Sequence, residues 1–500
     1  MKDNGKKKSD LFLIYPCNHR RWPLLPNSVL ALMDPLMKAG FSPKIVDTAV
    51  EDYRSFDYRE AICIGISALT DQSILQGIEV ARYIKNRYPK IPIVWGGHHP
   101  TVLPEQTIRS PVADIVCRNE GELTFPESVE RMADHQLIDD VPGITWKDCH
   151  GKVFHNPDRD LIEMDSVSLY PYHLLDLKKY PVIHERFPYQ SSRGCPCRCR
   201  FCSFDVLKRW RAKSHSKMVD EIGWVMETFH PQDIEMADDN FFVSKKRVRD
   251  FCEGVVNKGL SFRWSANCRF DYFSEYEDDF IELLKESGCY LLCFGGESGS
   301  DRILDYLDKK LNRQQILESV GKAKRHHLQI QISFMCGFPD ETQEDILATL
   351  SLLDEIRRIY PSVEINGFFI YTPYPGSALF DEVQKFGFRP QKSLEEWGRF
   401  DPNLDHSTRT TPWILKKERT FLETISAMVR FEFLLKKYQE MSNLQKRAWF
   451  FNSVFIVKLF DLFNLFFKTS YKVRWKRRWF NFPLEWKTWT FMRDRFLGRV

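Results

Sequence analysis

Four cysteines stand close together near the middle of the chain, at a spacing that suits a metal centre. Cys195, Cys199 and Cys202 form a C-x3-C-x2-C pattern, and Cys197 lies between the first two. Thiolates of this kind select zinc or an iron–sulfur centre, whereas a closed structural zinc site needs a fourth Cys or His. We interpret Cys197 as a bystander, because neighbouring side chains in so tight a loop rarely reach one metal. The other three predict a metal centre with one open position, and a zinc loop is the alternative.

The size and charge of the chain limit the classes of protein to which it can belong. Its 500 residues suggest about three domains. The 72 Lys and Arg against 68 Asp and Glu leave a net charge of +4, which is too small to indicate a nucleic-acid partner. Thirteen cysteines, with a lysine-rich start that no apolar export segment follows, indicate a reducing cytoplasm in which disulfides do not form.

Residues 10–140 alternate short apolar runs with stretches of helical periodicity. The runs that we predict as strands lie at 11–15, 62–68, 92–95 and 113–117. Strands that alternate with helices build a parallel, doubly wound sheet of the α/β class, whose ligand binds at the carboxyl ends of the strands. The first domain is therefore predicted to be Rossmann-like.

Small and polar residues cluster at those carboxyl ends. They are Ser67, Thr70, Gly96, Gly97, His98, Glu120, Gly121 and Glu122. Glycine at a strand end lets a ligand approach the backbone closely, because no Cβ stands in the way. Taken alone, the pattern leaves ordinary loop glycines as an equal alternative, and for His98 the alternative is a loop histidine bonded to the backbone.

Residues 141–185 contain Pro, Gly and Asp turn signals and are predicted to form a linker with a small hairpin. From 186 to 390 the alternation of strands and helices resumes. One predicted strand precedes Cys195, and the other five lie at 233–237, 262–267, 290–295, 329–336 and 365–371. Repeated β/α units of this length predict a partial (β/α)6 TIM-like barrel, with its chemistry at the carboxyl ends of the strands.

Residues 391–500 are predicted to be mainly helical. The apolar stretch 448–467 is interrupted by Asn452, Lys458, Asp461 and Asn464, so we do not predict a transmembrane span. Residues 468–500 carry ten Lys or Arg against two acidic residues, with four tryptophans interleaved. Such a segment suits an anionic membrane surface, and an amphipathic cap packed on the barrel is the equal alternative.

The cysteine spacing, with Phe201 just before the last thiol, resembles the radical S-adenosylmethionine enzymes. The turns G-G-x-H-P-T at 96–101 and x-E-G-E at 119–122 resemble the cobalamin-binding domain that precedes many cores of that family. The branch that fits best is the cobalamin-dependent one, with the class B methyltransferases and the anaerobic magnesium-protoporphyrin ester cyclase group. The D-x-H-x-x-G motif that supplies a cobalt ligand in other cobalamin proteins is absent. The resemblance therefore does not make His98 a lower ligand of cobalt.

The resemblance implies a 4Fe-4S cluster on the three cysteines, with S-adenosylmethionine on its fourth iron, and cobalamin on the strand-end residues of the first domain. It also implies residues that hold S-adenosylmethionine, namely Phe201 beside the adenine, Asp238 at the ammonium group, Arg269 at the carboxylate and Glu297 at the nucleoside. A carboxylate suits an ammonium group, and a guanidinium is a fork-shaped donor for a carboxylate.

The function implied by this resemblance is methylation of an unactivated carbon. In such enzymes, one electron from the cluster cleaves S-adenosylmethionine, the resulting 5'-deoxyadenosyl radical takes a hydrogen from the substrate, and methylcobalamin supplies the methyl group. A radical oxidoreductase or cyclase acting on a tetrapyrrole or lipid is the alternative. A non-catalytic cobalamin or iron–sulfur sensor is a third hypothesis, against which the retained cysteines and strand-end residues speak.

The expected partners follow from that chemistry. They are a small-molecule substrate, which is hydrophobic if the C-terminal segment docks on lipid, and an electron donor such as flavodoxin or ferredoxin. The expected location is the cytoplasm, with the inner face of the membrane as a peripheral site. Because oxygen attacks an open iron–sulfur cluster, the resemblance also implies a low-oxygen setting.

Overall fold

A computed structural model describes residues 10–17, 23–203, 209–400, 411–440, 467, 470–480 and 487. The chain has the predicted α/β architecture, with two mainly parallel sheets that are each flanked by helices. A long helix then follows the second sheet.

The first sheet contains β1 (Leu11–Tyr15), β2 (Pro43–Asp47), β3 (Ile64–Ser67), β4 (Ile93–Gly96), β5 (Ile115–Cys117), β6 (Ile144–Lys147) and β7 (Val153–His155). Its helices are α1 (Asn27–Lys38), α2 (Ser73–Arg87), α3 (His98–Val102), α4 (Pro104–Ile108) and α5 (Gly121–Ala133).

The strand order is β2-β1-β3-β4-β5-β6-β7, and the first five strands are parallel. This confirms the doubly wound sheet, whose order reverses between β1 and β3, where such folds bind their ligands. Two features differ from the sequence prediction. The strand β2 was missed, because its first two residues are half-exposed and only three buried residues follow. The hairpin β6–β7 of the predicted linker is antiparallel to β5 and extends the sheet.

The central part begins with α6 (Val182–Glu185), β8 (Arg186–Tyr189), β9 (Ser192–Arg193), β10 (Arg211–Ala212), α7 (His215–Phe229), β11 (Asp233–Met236) and α8 (Lys245–Asn257). It continues with β12 (Arg263–Cys268), α9 (Phe270–Ser274), α10 (Asp278–Glu286), β13 (Cys289–Glu297), α11 (Asp301–Tyr306) and α12 (Arg313–Arg325). It ends with β14 (Gln329–Cys336), α13 (Gln343–Ile359), β15 (Glu364–Ile370), α14 (Ala378–Glu382), α15 (Leu394–Gly398) and α16 (Lys416–Glu440).

Six parallel strands in the order β8-β11-β12-β13-β14-β15 form the second sheet, which confirms the partial barrel. Side chains alternate between the two faces of a strand. One face is apolar, since Phe187, Ile234, Trp264 and Leu292 are buried in a single cluster with the apolar sides of α7, α8, α10 and α12. The helices therefore cover this outer face, and the alternate residues line the inner face.

The helix α16 packs against β15 at the edge of the barrel, where Lys437 Nζ lies 2.7 Å from Glu364 Oε1. Residues 470–480 also pack on the barrel, because the buried Trp475 donates through Nε1 to Asp354 on α13 at 2.7 Å. This part of the basic, aromatic segment thus forms a cap. Most of 441–469 and 481–500 lies outside the described residues. In the described part of the chain, none of the helices has the length and apolarity to cross a bilayer.

Candidate functional site

The cysteines follow β8 and β9 at the carboxyl edge of the barrel, in a segment that we call the cluster loop (residues 194–202). The thiols of Cys195, Cys197, Cys199 and Cys202 are half-buried. Asn240 Nδ2 lies 3.7 Å from Cys195 Sγ, and Cys197 Sγ lies 3.5 Å from the Tyr272 hydroxyl. Within the described ranges, no three His, Cys, Asp or Glu side chains are grouped as a metal site. The loop nevertheless supplies the donor chemistry of an iron–sulfur cluster, namely several accessible thiols on one short segment.

Residues after β11 hold the backbone ahead of the cluster loop. The Asp238 carboxylate is buried and accepts hydrogen bonds from the backbone N–H groups of Ser191 and Ser192, at 2.7 and 2.9 Å, and from the Ser191 hydroxyl. Burial raises the pKa of Asp238, against these hydrogen bonds. Gly194 N donates to Asp239 Oδ2 at 3.2 Å. Asp238 thus orders the backbone just ahead of the cluster loop, and its contact with S-adenosylmethionine stays a prediction.

Two cations flank the loop. Arg269 Nη1 lies 3.4 Å from Cys199 Sγ, and its Nε and Nη2 donate to Asp271 at 2.9 and 3.0 Å. The fork that was predicted to bind a carboxylate is therefore occupied by Asp271 in this structure. The second cation, Lys309, was missed, because its position just after α11 in a Lys-Lys pair gives no local signal of burial.

Lys309 pairs with the predicted nucleoside residue Glu297. Lys309 Nζ lies 2.6 Å from Glu297 Oε1, and both side chains are less than a tenth exposed. Burial by itself would lower the pKa of Lys309, but the Glu297 and Cys199 charges raise it. The Phe201 ring lies 5.8 Å from the ammonium group and 6.4 Å from the Phe338 ring. The structure therefore brings Cys199, Phe201, Arg269 and Glu297 together around Lys309.

The surroundings of Cys195 favour the thiolate form that a cluster ligand requires. The hydrogen bond from Cys197 lowers the pKa of the Cys195 thiol, with further help from Asn240 and Arg269. The same hydrogen bond, together with burial, raises the pKa of Cys197. The donor set therefore fits an anionic cluster, and the residues that would hold it are Cys195, Cys199 and Cys202.

A cavity of about 340 Å³ lies at the carboxyl edge of the first sheet, between the strands and the helices α1 and α5. Six of the residues predicted to bind cobalamin line it: Ser67, Gly96, Gly97, Glu120, Gly121 and Glu122. The other two lie outside this lining. Thr70 Oγ1 lies 3.1 Å from Nδ1 of the buried His99, and His98 Nε2 lies 3.2 Å from the Ser203 carbonyl oxygen.

The turn after β4 requires glycine. Gly97 has φ +93°, and a Cβ there would lie 2.8 Å from the Ala68 carbonyl oxygen. The cavity also lies beside the switch point between β1 and β3, since Leu13, Gly65 and Ile66 contribute to its wall. A cavity of this size at this place fits part of a large cofactor such as cobalamin, although its contacts with these residues stay predictions.

The inner face of the barrel is polar and open. Glu235 and Asn267 are exposed there, and Phe369 is 42% exposed. Deeper, Gln331 connects β14 to β15, since it donates to Glu364 at 3.1 Å and accepts from Asn366 at 2.9 Å. The space on the inner face of the barrel can receive a small molecule that carries polar groups.

Comparison with known proteins identifies both halves of the site. Residues 23–129 match the B12 binding domain, and residues 189–353 match the radical SAM superfamily. The solved structure of the cobalamin-dependent S-adenosylmethionine radical enzyme OxsB, with aqua-cobalamin and S-adenosylmethionine bound, has the same fold. Its TM-score is 0.69 at 19% identity, over 92% of this chain and 71% of that one. The fold and the site thus define a radical S-adenosylmethionine protein with a cobalamin-binding domain.

Sequence relatives place the chain more narrowly. An uncharacterised methyltransferase of Pyrococcus horikoshii is 34% identical over 363 residues, which cover 70% of this chain and 77% of the relative. An anaerobic magnesium-protoporphyrin IX monomethyl ester cyclase of Synechocystis is 24% identical over 67% of this chain and 70% of its own length. The chain belongs to the cobalamin-dependent radical S-adenosylmethionine methyltransferase family. The cofactors of this family are a 4Fe-4S cluster, S-adenosylmethionine and cobalamin.

Proposed function

We propose that the protein methylates an unactivated carbon of a small-molecule substrate. The bound cofactors supply radical chemistry and a transferable methyl group, and the chain positions them. The observation that carries the proposal is a shared wall. Arg193 lines the cavity of the first domain and lies two residues before Cys195, which supports placing the two cofactors next to each other.

The residues near the cluster loop have distinct parts in this proposal. Cys195, Cys199 and Cys202 hold the cluster, and Phe201 flanks the adenine. Glu297, whose Oε1 lies 2.6 Å from Lys309 Nζ, accepts from the nucleoside hydroxyls. Asp239 is exposed while Asp238 is buried against Ser191 and Ser192, so we assign the ammonium group to Asp239 in preference to Asp238. Arg269 orders Cys199, and reaches a carboxylate only if Asp271 gives up part of its fork.

The substrate lies on the inner face of the barrel in this proposal. Glu235, Asn267 and Phe369 offer a carboxylate, an amide and an aromatic ring there. Phe201 and Phe338, whose ring centroids lie 6.4 Å apart, form an apolar side of the site. Electrons come from a small donor protein such as flavodoxin or ferredoxin.

A radical cyclase or oxidoreductase is the second candidate, because a relative of this chain is named as a magnesium-protoporphyrin ester cyclase. The two candidates differ in the fate of the methyl group. A methyltransferase moves it into the product, whereas a cyclase leaves it on S-adenosylmethionine or releases it in methionine.

The experiment uses reconstituted, reduced protein with cobalamin and S-adenosylmethionine deuterated in its methyl group. Metabolite extract from a strain that lacks the gene supplies the substrate. The proposal expects 5'-deoxyadenosine and a new product that carries the deuterated methyl. A new product without the label would favour the cyclase, and no 5'-deoxyadenosine from any extract would favour the sensor hypothesis.

Peripheral membrane contact is a separate proposal for the C-terminal segment. Each Lys or Arg near an anionic surface contributes about 1 kcal/mol, which salt screens. Flotation with anionic vesicles at low salt, and release at high salt, would support contact. Absence of flotation at low salt would leave a soluble substrate as the better proposal.

A further inference from the structure

Four charged side chains join the first domain to the strands β9 and β10, and the cluster loop follows β9 directly. Arg193 donates through Nη1 to Glu120 Oε1 at 3.0 Å and through Nη2 to Glu122 Oε1 at 2.6 Å. Arg211 donates to both oxygens of Glu120, at 2.9 and 3.0 Å. Each of the four side chains is at most 12% exposed. We call this set the interdomain network.

Further hydrogen bonds surround the network. Arg193 Nε donates to Gln190 at 3.1 Å, and its Nη2 lies 3.3 Å from the Tyr170 hydroxyl. Ile162 N donates to Glu120 Oε2 at 2.9 Å. Two positive and two negative charges cancel, so the network is neutral as a whole. Removal of one member would leave an uncompensated buried charge, so the four side chains are expected to move together rather than one by one.

The network touches both cofactor sites. Glu120 and Glu122 begin α5, and both line the cavity of the first domain together with Tyr170, Gln190 and Arg193. Arg193 ends β9, which pairs with β10 through Arg211. Gly194 and Cys195 follow directly, so a shift of the Arg193 backbone also moves the first cluster thiol.

We propose that Arg193 is a positioning residue that couples cobalamin in the cavity to the cluster loop. The inference rests on the proposed placement of the two cofactors. When cobalamin fills the cavity, it restrains the side chains of Glu120 and Glu122, and their ion pairs restrain Arg193. The cluster loop, which follows Arg193, is then held in the geometry that receives the cluster. Because binding free energies are linked, the cluster must in turn tighten the binding of cobalamin by the same factor.

The test measures the dissociation constant of hydroxocobalamin by equilibrium dialysis, for the full chain with and without its reconstituted cluster. The ratio of the two constants reports the coupling. We expect wild-type protein to bind about fivefold or more tightly with the cluster present. In Arg193→Lys the ratio should fall to near one, because an ammonium group cannot bridge two carboxylates as a guanidinium fork does.

A matched control tests whether any ion pair in the molecule would act in this way. Arg82 on α2 pairs with Glu395 on α15 at 3.3 Å, but these side chains are 58% and 26% exposed. Arg82→Lys should keep the wild-type ratio.

A second variant covers the case in which Arg193→Lys does not fold, as judged by circular dichroism. Glu122→Gln removes one arm of the network and is expected to lower the ratio.

The outcomes separate this inference from the proposed function. Equal cobalamin affinity with and without the cluster in wild-type protein overturns the coupling, even where 5'-deoxyadenosine forms and methyl is transferred. An unchanged ratio in both Arg193→Lys and Glu122→Gln also overturns it. If wild-type protein binds no cobalamin, the proposed function fails and the inference fails with it.

Discussion

At the scale of single residues, Cys199 is in direct contact with a cation, since Arg269 Nη1 lies 3.4 Å from its sulfur. Cys199→Ala removes a predicted cluster ligand, so iron and sulfide content should fall sharply and cleavage of S-adenosylmethionine should drop to background. Cys197→Ala is the matched control, because its thiol lies beside Tyr272 and Cys195 and is predicted to be a bystander. Loss of the cluster in Cys197→Ala as well would show that Cys197 is a ligand or supports one.

Glu341, in the turn after β14, gives a prediction for pH dependence. Its Oε2 accepts from the backbone N–H groups of Gly337 and Phe338, and its buried Oε1 has no hydrogen-bond partner among the described residues. Burial raises the pKa of Glu341 from 4.5 to about 8. The folded protein therefore holds a proton that the unfolded chain releases, and stability is lost as pH rises from 4.5 through about 8.

The slope from this one group is at most about 1.4 kcal/mol per pH unit. Glu341→Gln keeps an acceptor for the backbone and cannot titrate, so its stability should change less over that range. Urea midpoints of the wild type and the variant at about pH 5 and about pH 8 measure the difference. Parallel pH dependence in the two proteins would mean that Glu341 is already ionised when folded.

At the scale of elements, the turn between β4 and α3 determines how closely a ligand approaches the first sheet. Gly97→Val places a Cβ at 2.8 Å from the Ala68 carbonyl oxygen at φ +93°. We expect cobalamin affinity to fall by about tenfold or more, which is about 1.4 kcal/mol, while iron content per chain is unchanged.

Gly40 supplies the control for this turn. It has a similar φ of +92°, but a Cβ there would meet nothing within 4 Å. Gly40→Val thus introduces the backbone strain without a contact at the cavity. Visible spectra of cobalamin bound to each variant, compared with wild type, separate strain from crowding, and equal cobalamin content in Gly97→Val and Gly40→Val would argue against a site at this turn.

At the scale of the whole molecule, the basic, aromatic segment is tied to the barrel through Trp475. This side chain is 8% exposed, donates to Asp354, and stacks with Tyr471 at 5.3 Å between ring centroids. Trp475→Ala should destabilise the protein by about 3–5 kcal/mol through lost burial. Trp479 is 55% exposed, so Trp479→Ala should change stability by about 0.5 kcal/mol or less. Thermal unfolding of both variants measures this, and similar melting points would show that the cap does not stabilise the barrel.

The sequence alone determined the elements that arise from local patterns. The six strands of the barrel and four strands of the first sheet follow from apolar runs and helical periodicity, which depend on neighbours in the chain. The cysteine spacing is also local, so the cluster loop and the family could be inferred from it. The short β2 was missed, because its first two residues are half-exposed and only three buried residues follow them.

Only the tertiary structure decided which charges are buried in pairs. In sequence, Glu120 and Glu122 are strand-end carboxylates open to a ligand, and Arg193 is one arginine among many. Folding brings Arg193 to Glu120 across 73 residues, and Lys309 to Glu297 from an unremarkable Lys-Lys pair. The sequence around a charged residue looks the same whether its side chain is surrounded by water or paired with an opposite charge. Its partner is set by tertiary packing, within a domain for Lys309 and between domains for Arg193, and local periodicity carries no information about that packing.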